Sequence, residues 1–168
     1  DLIGLILKIL LLGGTNFIGP NLIKTFQQRG HQISVFNRGS KPTEQNIKCY
    51  IGDRNLGFEP VGNQYWDIVI DTCCFFPQQM ENSVKYFNQR AKKYIFISSV
   101  NAYRDFKTAS ISETYPLRRS FPFQRKLRLS KYSYGAMKAD CERVLMKKWA
   151  GDSLILRPGY LMGKLDPS

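Results

Sequence analysis

The sequence predicts an α/β domain: a doubly wound parallel sheet of six strands in the order 3-2-1-4-5-6, with helices on both faces. Three observations carry this. Short apolar runs alternate along the chain with segments of helical periodicity. The first run, Lys8 to Leu12, is almost wholly apolar, as a central parallel strand covered on both faces should be. That run then opens into a glycine-rich turn with a helix directly behind it.

The elements follow in order. Leu2 to Leu12 is apolar apart from Gly4 and Lys8. It is far shorter than the ~20 residues a membrane helix needs, so it predicts a first strand with an apolar lead-in. After Gly19, the spacing of Leu22, Ile23 and Phe26 predicts a helix that stops at Gly30. Ile33 to Phe36 reads as the second strand, Ile47 to Ile51 as the third and Trp66 to Ile70 as the fourth. Gln78 to Arg90 carries Met80, Val84 and Phe87 at helical spacing, and Tyr94 to Ile97 reads as the fifth strand. Residues 104–131 are polar and basic with no assignable element. Tyr132 to Trp149 reads as a helix, and Leu154 to Leu156 as the sixth strand. Helical crossovers between these strands are right-handed and place a ligand crevice beyond the carboxyl ends of strands 1 and 4.

Composition narrows the chemistry. The 168 residues are enough for one domain with a real core. The 25 Lys+Arg against 13 Asp+Glu give a net charge of +12, a field that favours anionic partners. Cys49, Cys73, Cys74 and Cys141 form no Cys-x-x-Cys pair, which fits a reduced, cytoplasmic chain better than a disulfide scaffold. His31 is the only histidine. No metal site is expected, and His31 reads as a polar turn residue.

Gly13-x-x-Asn16-x-x-Gly19, with Gly14 as an extra small residue, has the spacing of a loop that lets a backbone approach a pyrophosphate. Asn16 stands where a glycine is common, and Asn tolerates left-handed backbone angles. The amides of the following helix would point at the phosphates. About 20 residues past the loop, the second strand ends in Asn37-Arg38 with no acid. Arginine there suits the 2′-phosphate of NADP, so NADP is preferred over NAD; a solvated surface charge is the plainer alternative. Asp53, after the third strand, is placed for the adenine amine, or is simply a turn aspartate. Tyr134 and Lys138 lie four apart on one helical face. A phenol titrating near pH ~10 needs such a neighbouring ammonium to exchange protons near neutrality. Ser99, leaving the fifth strand, would hydrogen-bond a substrate oxygen beside Tyr134.

Together these segments resemble the extended short-chain dehydrogenase/reductases, the NAD-dependent epimerase/dehydratase family. The resemblance rests on residues 13–19, 37–39, 52–54, 71–73, 96–99, 134–138 and 156–159, in the family's order. It implies a Rossmann-type domain over residues 1–168, with Ser99, Tyr134 and Lys138 catalytic. It also implies cofactor contacts from Gly13, Thr15, Asn16, Phe17, Ile18, Gly19, Asn37, Arg38, Asp53 and Arg54. Thr72 and Cys73 fall near the cofactor's middle and Pro158 near the nicotinamide, with Tyr134 and Lys138 also touching it. The implied chemistry is epimerase, dehydratase or reductase chemistry on a sugar nucleotide or other carbonyl substrate. Cys74 and Phe75 replace what would often be glycine and tyrosine, which would narrow the ribose site. Family members continue well past the position of Ser168, so the substrate lobe is expected to lie outside this chain. The family often pairs through helices, here those near Gln78 to Arg90 and Tyr132 to Trp149, so a homodimer is an expected assembly.

An alternative reading attaches to residues 104–131. Arg104, Lys107, Arg118, Arg119, Arg125, Lys126, Arg128 and Lys131 are opposed there only by Asp105 and Glu113, and Phe121, Phe123, Tyr132 and Tyr134 interleave. Cations with aromatics suit single-stranded nucleic acid. An RNA-binding or catalytically inactive dinucleotide-binding module on the same fold is therefore the second reading; a solvated loop beside the site is the plainer one.

Overall fold

Apolar runs with β-branched residues cannot leave their peptide groups unpaired in a core, so they pair with one another. The computed structural model describes residues 5–40, 46–107, 110–120 and 129–163. In it, β1 (Lys8–Leu12), β2 (Gln32–Asn37), β3 (Lys48–Ile51), β4 (Trp66–Asp71), β5 (Ala91–Ile97) and β6 (Asp152–Leu156) form one sheet. Its order is β3-β2-β1-β4-β5-β6 and every pairing is parallel, as the sequence predicts.

The register fixes where a site can form. Leu12 is paired with both Phe36 and Asp71, Asn37 with Ile51, Asp71 with Phe96, and Ile97 with Leu156. The carboxyl ends of the strands therefore stop along one edge of the sheet, and the loops that leave them share a rim.

Three α-helices are found among the described residues: α1 (Ile18–Gln28), α2 (Pro77–Phe87) and α3 (Tyr134–Lys148). Successive strand residues point to opposite faces, so the core is split in two. Leu10, Leu12, Val69, Tyr94 and Phe96 pack with Met80, Val84 and Phe87 of α2 and with Cys141 and Leu145 of α3. Ile9, Leu11, Val35 and Ile70 pack on the other side with Ile23 of α1. The expectation of a helix in every crossover needs correcting. Only a 3-10 turn, Glu59–Val61, lies between β3 and β4, and no helix is found among the described residues between β2 and β3. Phe58 replaces it as an apolar plug: it is fully buried against Phe36 and Phe87.

Part of the basic segment is ordered by its backbone. Tyr103 and Leu117 form an antiparallel bridge, and the Arg118 N–H donates to the Ala102 carbonyl (2.8 Å). Phe121, Phe123, Arg125, Lys126 and Arg128 lie outside the described residues. No helix among the described residues is long and apolar enough to cross a membrane.

Candidate functional site

The β1–α1 turn is built from glycines that cannot be other residues. Gly13 and Gly14 have φ of 99° and 82°, in the left-handed region that glycine enters freely. A Cβ on Gly13 would lie 2.6 Å from the Thr72 hydroxyl, and one on Gly19 would lie 2.3 Å from the Gly14 carbonyl carbon. Gly19 thus lets the first turn of α1 sit directly on the loop. Asn16 does not take the left-handed angle expected of it. Phe17 does, with φ of 33°, and the Asn16 carbonyl instead accepts the Gly19 N–H (2.9 Å). The helix that follows has no side-chain cap and no acid in its first turn, where Pro20 carries no N–H and the Gly19 N–H is already committed to Asn16.

Beyond this turn lies a cavity of about 580 Å³. Gly13, Gly14, Thr15, Asn16, Phe17 and Ile18 line one wall. Asn37, Arg38, Asp53, Arg54, Thr72, Cys73 and Phe75 also line it, Thr72 and Cys73 directly beside Gly13. Arg38 is exposed at the rim. Asn37 Oδ1 accepts the Gly39 N–H (2.7 Å), while its buried Nδ2 has no partner among the described residues. Asp53 Oδ1 accepts the Asn55 backbone N–H (2.8 Å), the turn role weighed against an adenine contact. Thr72 donates from its hydroxyl to the Leu12 carbonyl (2.9 Å), which locks the β4 end to the β1 end.

Arg54 is buried beneath the cavity and its guanidinium is committed to Asp71. Nη1 and Nη2 reach the two carboxylate oxygens at 2.8 and 2.7 Å, and Nη2 also donates to Ser83 Oγ (2.7 Å). Tyr94 donates its hydroxyl to Asp71 Oδ2 (2.6 Å). Burial alone would raise the Asp71 carboxyl, but the Arg54 charge and these hydrogen bonds hold it below the usual carboxylate range. Burial pushes the neighbouring Cys73 thiol up to about 11, so it is no thiolate nucleophile near neutrality.

The second constellation sits on α3. A Cβ on Gly135 would lie 2.1 Å from the Asn101 carbonyl oxygen, so the α3 N-terminus presses on the turn that leaves Ser99. This close approach brings Tyr134 and the Ser99 turn to one place. Ser99 is buried, and its Oγ accepts the Asn101 N–H (3.2 Å). Tyr134 and Asn101 line a second cavity of about 490 Å³ with Phe75 and residues 129–131. Lys138 is turned inward and is 2% exposed. Its Nζ donates to the Cys74 carbonyl (3.0 Å) and the Ile97 carbonyl (2.7 Å) and lies over the Phe96 ring. Burial lowers its proton affinity. Pro158 is tied to the same turn, its carbonyl accepting the Val100 N–H (3.0 Å).

Sequence reading missed a second buried ion pair, Glu142 with Arg157. Arg157 Nη2 meets Glu142 Oε2 at 2.8 Å, Nε meets both oxygens at 3.1 Å, and Ser98 also donates to this carboxylate. The pair clamps the end of β6 to α3. The only signals were an acid in the middle of a helix and an arginine closing an apolar run.

No family model matches the chain. The sheet order, the glycine turn and the cavity define a Rossmann-type domain, the fold also found in NAD-dependent epimerases and dehydratases. The Bordetella bronchiseptica enzyme WbmG, crystallised with NAD and UDP, is 20% identical with a TM-score of 0.67, over 90% of this chain and 53% of that one. WbmH from the same organism, in complex with NAD+, is 15% identical with a TM-score of 0.76, over 97% and 59%. The UDP-Glc/GlcNAc 4-epimerase of Campylobacter jejuni is 22% identical with a TM-score of 0.69, over 89% and 52%. The chain thus spans little more than half the length of these structures. A chloroplast stem-loop binding protein of 41 kDa from Arabidopsis thaliana is 42% identical over 40 residues, 24% of this chain and 11% of that protein.

Proposed function

We propose that this chain is the nicotinamide-dinucleotide-binding part of an epimerase, dehydratase or reductase acting on a sugar nucleotide or other carbonyl substrate. The observation that carries the reading is the wall of the 580 Å³ cavity: two left-handed glycines and a helix N-terminus that no side chain caps. Such a wall is shaped for a diphosphate. Asn37 and Arg38, at the end of β2, line the same cavity where a ribose or its 2′-phosphate would lie. The NAD bound by WbmG and WbmH and the UDP bound by WbmG support this ligand class. When bound, the nicotinamide supplies a hydride donor or acceptor. Of the chain's own residues, Tyr134 exchanges the proton, Ser99 holds the reacting oxygen, and Lys138 supplies the positive charge on the same helix as Tyr134.

Arg38 sets the choice of dinucleotide in this reading, with NADP favoured over NAD. Titration of the protein with NADPH and NADH, followed by tryptophan fluorescence or melting temperature, is the test. Arg38→Ala should weaken NADPH by about tenfold and NADH by less than about twofold, as befits loss of one charge-assisted phosphate contact. Absence of binding by either dinucleotide would overturn the proposal.

The basic and aromatic residues of 104–131 favour one second reading, RNA binding, and the short match to a stem-loop binding protein supports that ligand class without locating it. Arg118 is less available for this than its charge suggests, because its Nε donates to the Asn101 carbonyl (2.9 Å). Arg104 is paired with Asp105 at 2.8 Å, whereas Arg119 is exposed. Affinity for an RNA stem-loop should therefore fall steeply with salt and be lost when Arg119, Arg125 and Lys126 are changed to Glu. A flat salt response removes this reading.

A further inference from the structure

Phe75 lines both cavities. It shares the first with the glycine turn, Asn37 and Arg38, and the second with Tyr134, Asn101 and Ser130. Neither Tyr134 nor Lys138, Ser99 or Pro158 lines the 580 Å³ cavity. The residues assigned to the nicotinamide end thus stand behind this ring, while those assigned to the adenosine and diphosphate end stand in front of it.

The partition is held firmly. The Phe75 and Phe76 N–H groups both donate to Gln79 Oε1, at 3.0 and 3.3 Å, and Gln79 Nε2 donates in turn to Asn55 Oδ1 (3.0 Å). The preceding residue is anchored as well, since Cys74 is fully buried and its carbonyl accepts from Lys138. The ring itself lies 5.4 Å from Lys138 Nζ and 6.5 Å from the Tyr134 ring centroid. A cation below and an aromatic beside it both favour this position. With the backbone pinned, rotation of the Phe75 side chain is the movement left to this residue.

We infer that Phe75 is a specificity-determining residue that closes the nicotinamide end of the cofactor cavity, so that the protein grips the ADP-ribosyl portion of a dinucleotide and gains little from its nicotinamide. The inference rests on the proposed dinucleotide site and names which part of that ligand the cavity takes. A larger ligand reaches Tyr134 only by displacing the ring, which forfeits the Lys138 and Tyr134 contacts.

Calorimetric titration of the full chain with NAD+ against ADP-ribose, and with NADP+ against 2′-phospho-ADP-ribose, tests this. The wild-type protein should bind each dinucleotide and its fragment within about twofold of one another. Phe75→Ala should bind the dinucleotide about fivefold or more tightly than the fragment, with fragment affinity unchanged. Phe75→Leu keeps an apolar cover over Lys138, guards against a folding defect in the alanine variant, and should fall between the two. A wild-type protein that already prefers the dinucleotide by about fivefold, or variants that leave the ratio unchanged, would overturn the role of Phe75 while leaving the dinucleotide site standing. Binding of neither dinucleotide nor fragment would overturn both.

Discussion

Asp71→Ala is expected to cost about 3–5 kcal/mol of folding stability, the loss that follows when one partner of a buried ion pair is removed. Asp71 has no exposed surface, and the Arg54 side chain is 8% exposed. Without the carboxylate, the guanidinium would remain buried on Ser83 Oγ, the Gln79 carbonyl and the Cys73 sulfur, none of which carries a compensating charge near neutrality. Tyr94 would also lose the acceptor for its buried hydroxyl. Urea unfolding of the two proteins measures the difference; a loss below about 1 kcal/mol would show that the pair is not what holds β4 to the loop after β3. The double variant Arg54→Met with Asp71→Leu should recover much of the loss, because no orphaned charge is left.

The same pair sets a pH dependence. The folded Asp71 carboxyl titrates below its unfolded value of about 3.9, so the unfolded chain takes up the proton first. The pair's contribution is therefore complete above the unfolded value. It is lost as pH falls through the depressed folded value. The acid limb of unfolding should flatten in the double variant, which has no carboxyl to titrate there.

Gly19→Ala is expected to lower stability by about 1–3 kcal/mol and dinucleotide affinity by about tenfold or more. The added Cβ would lie 2.3–2.4 Å from the backbone of Gly14, and backbone cannot swing aside as a flexible side chain can. Either α1 tilts away from the loop or the loop opens. Both outcomes pull the helix amides off the position a diphosphate would take. Gly159→Ala is the matched control, since nothing lies within 4 Å of its Cβ position; it should change stability by less than about 0.5 kcal/mol. Wild-type affinity in Gly19→Ala would remove the β1–α1 turn as the binding site.

Much of the fold was legible because its signals are local. Each strand announces itself as an apolar run, each helix by the recurrence of its buried face, and the turn by its glycines. Predicted strand limits agree with the observed ones to within a few residues. The misreadings lie where local signals were absent or ambiguous. The helix expected in every crossover was an inference from topology, and the β3–β4 connection fills its space with Phe58 instead. The non-glycine residue of positive φ in the turn is Phe17 rather than Asn16, whose carbonyl accepts the Gly19 N–H.

The sequence by itself determined the class of fold, the order of its strands and the place of the glycine turn, since these follow from hydrophobic period and backbone freedom. Only the tertiary structure decided what the polar residues do. Arg54, read as a cofactor contact, lines the cavity and also pairs with Asp71, 17 residues away; Lys138, read with Tyr134, donates to the Cys74 carbonyl, 64 residues away. Phe75, read as a narrowing of the ribose site, lines two cavities, one walled by residues 12–79 and the other by residues 75–134. Charged and aromatic side chains have no period of their own. Their roles depend on which partner compensates burial, and that partner is chosen by the packing of the sheet.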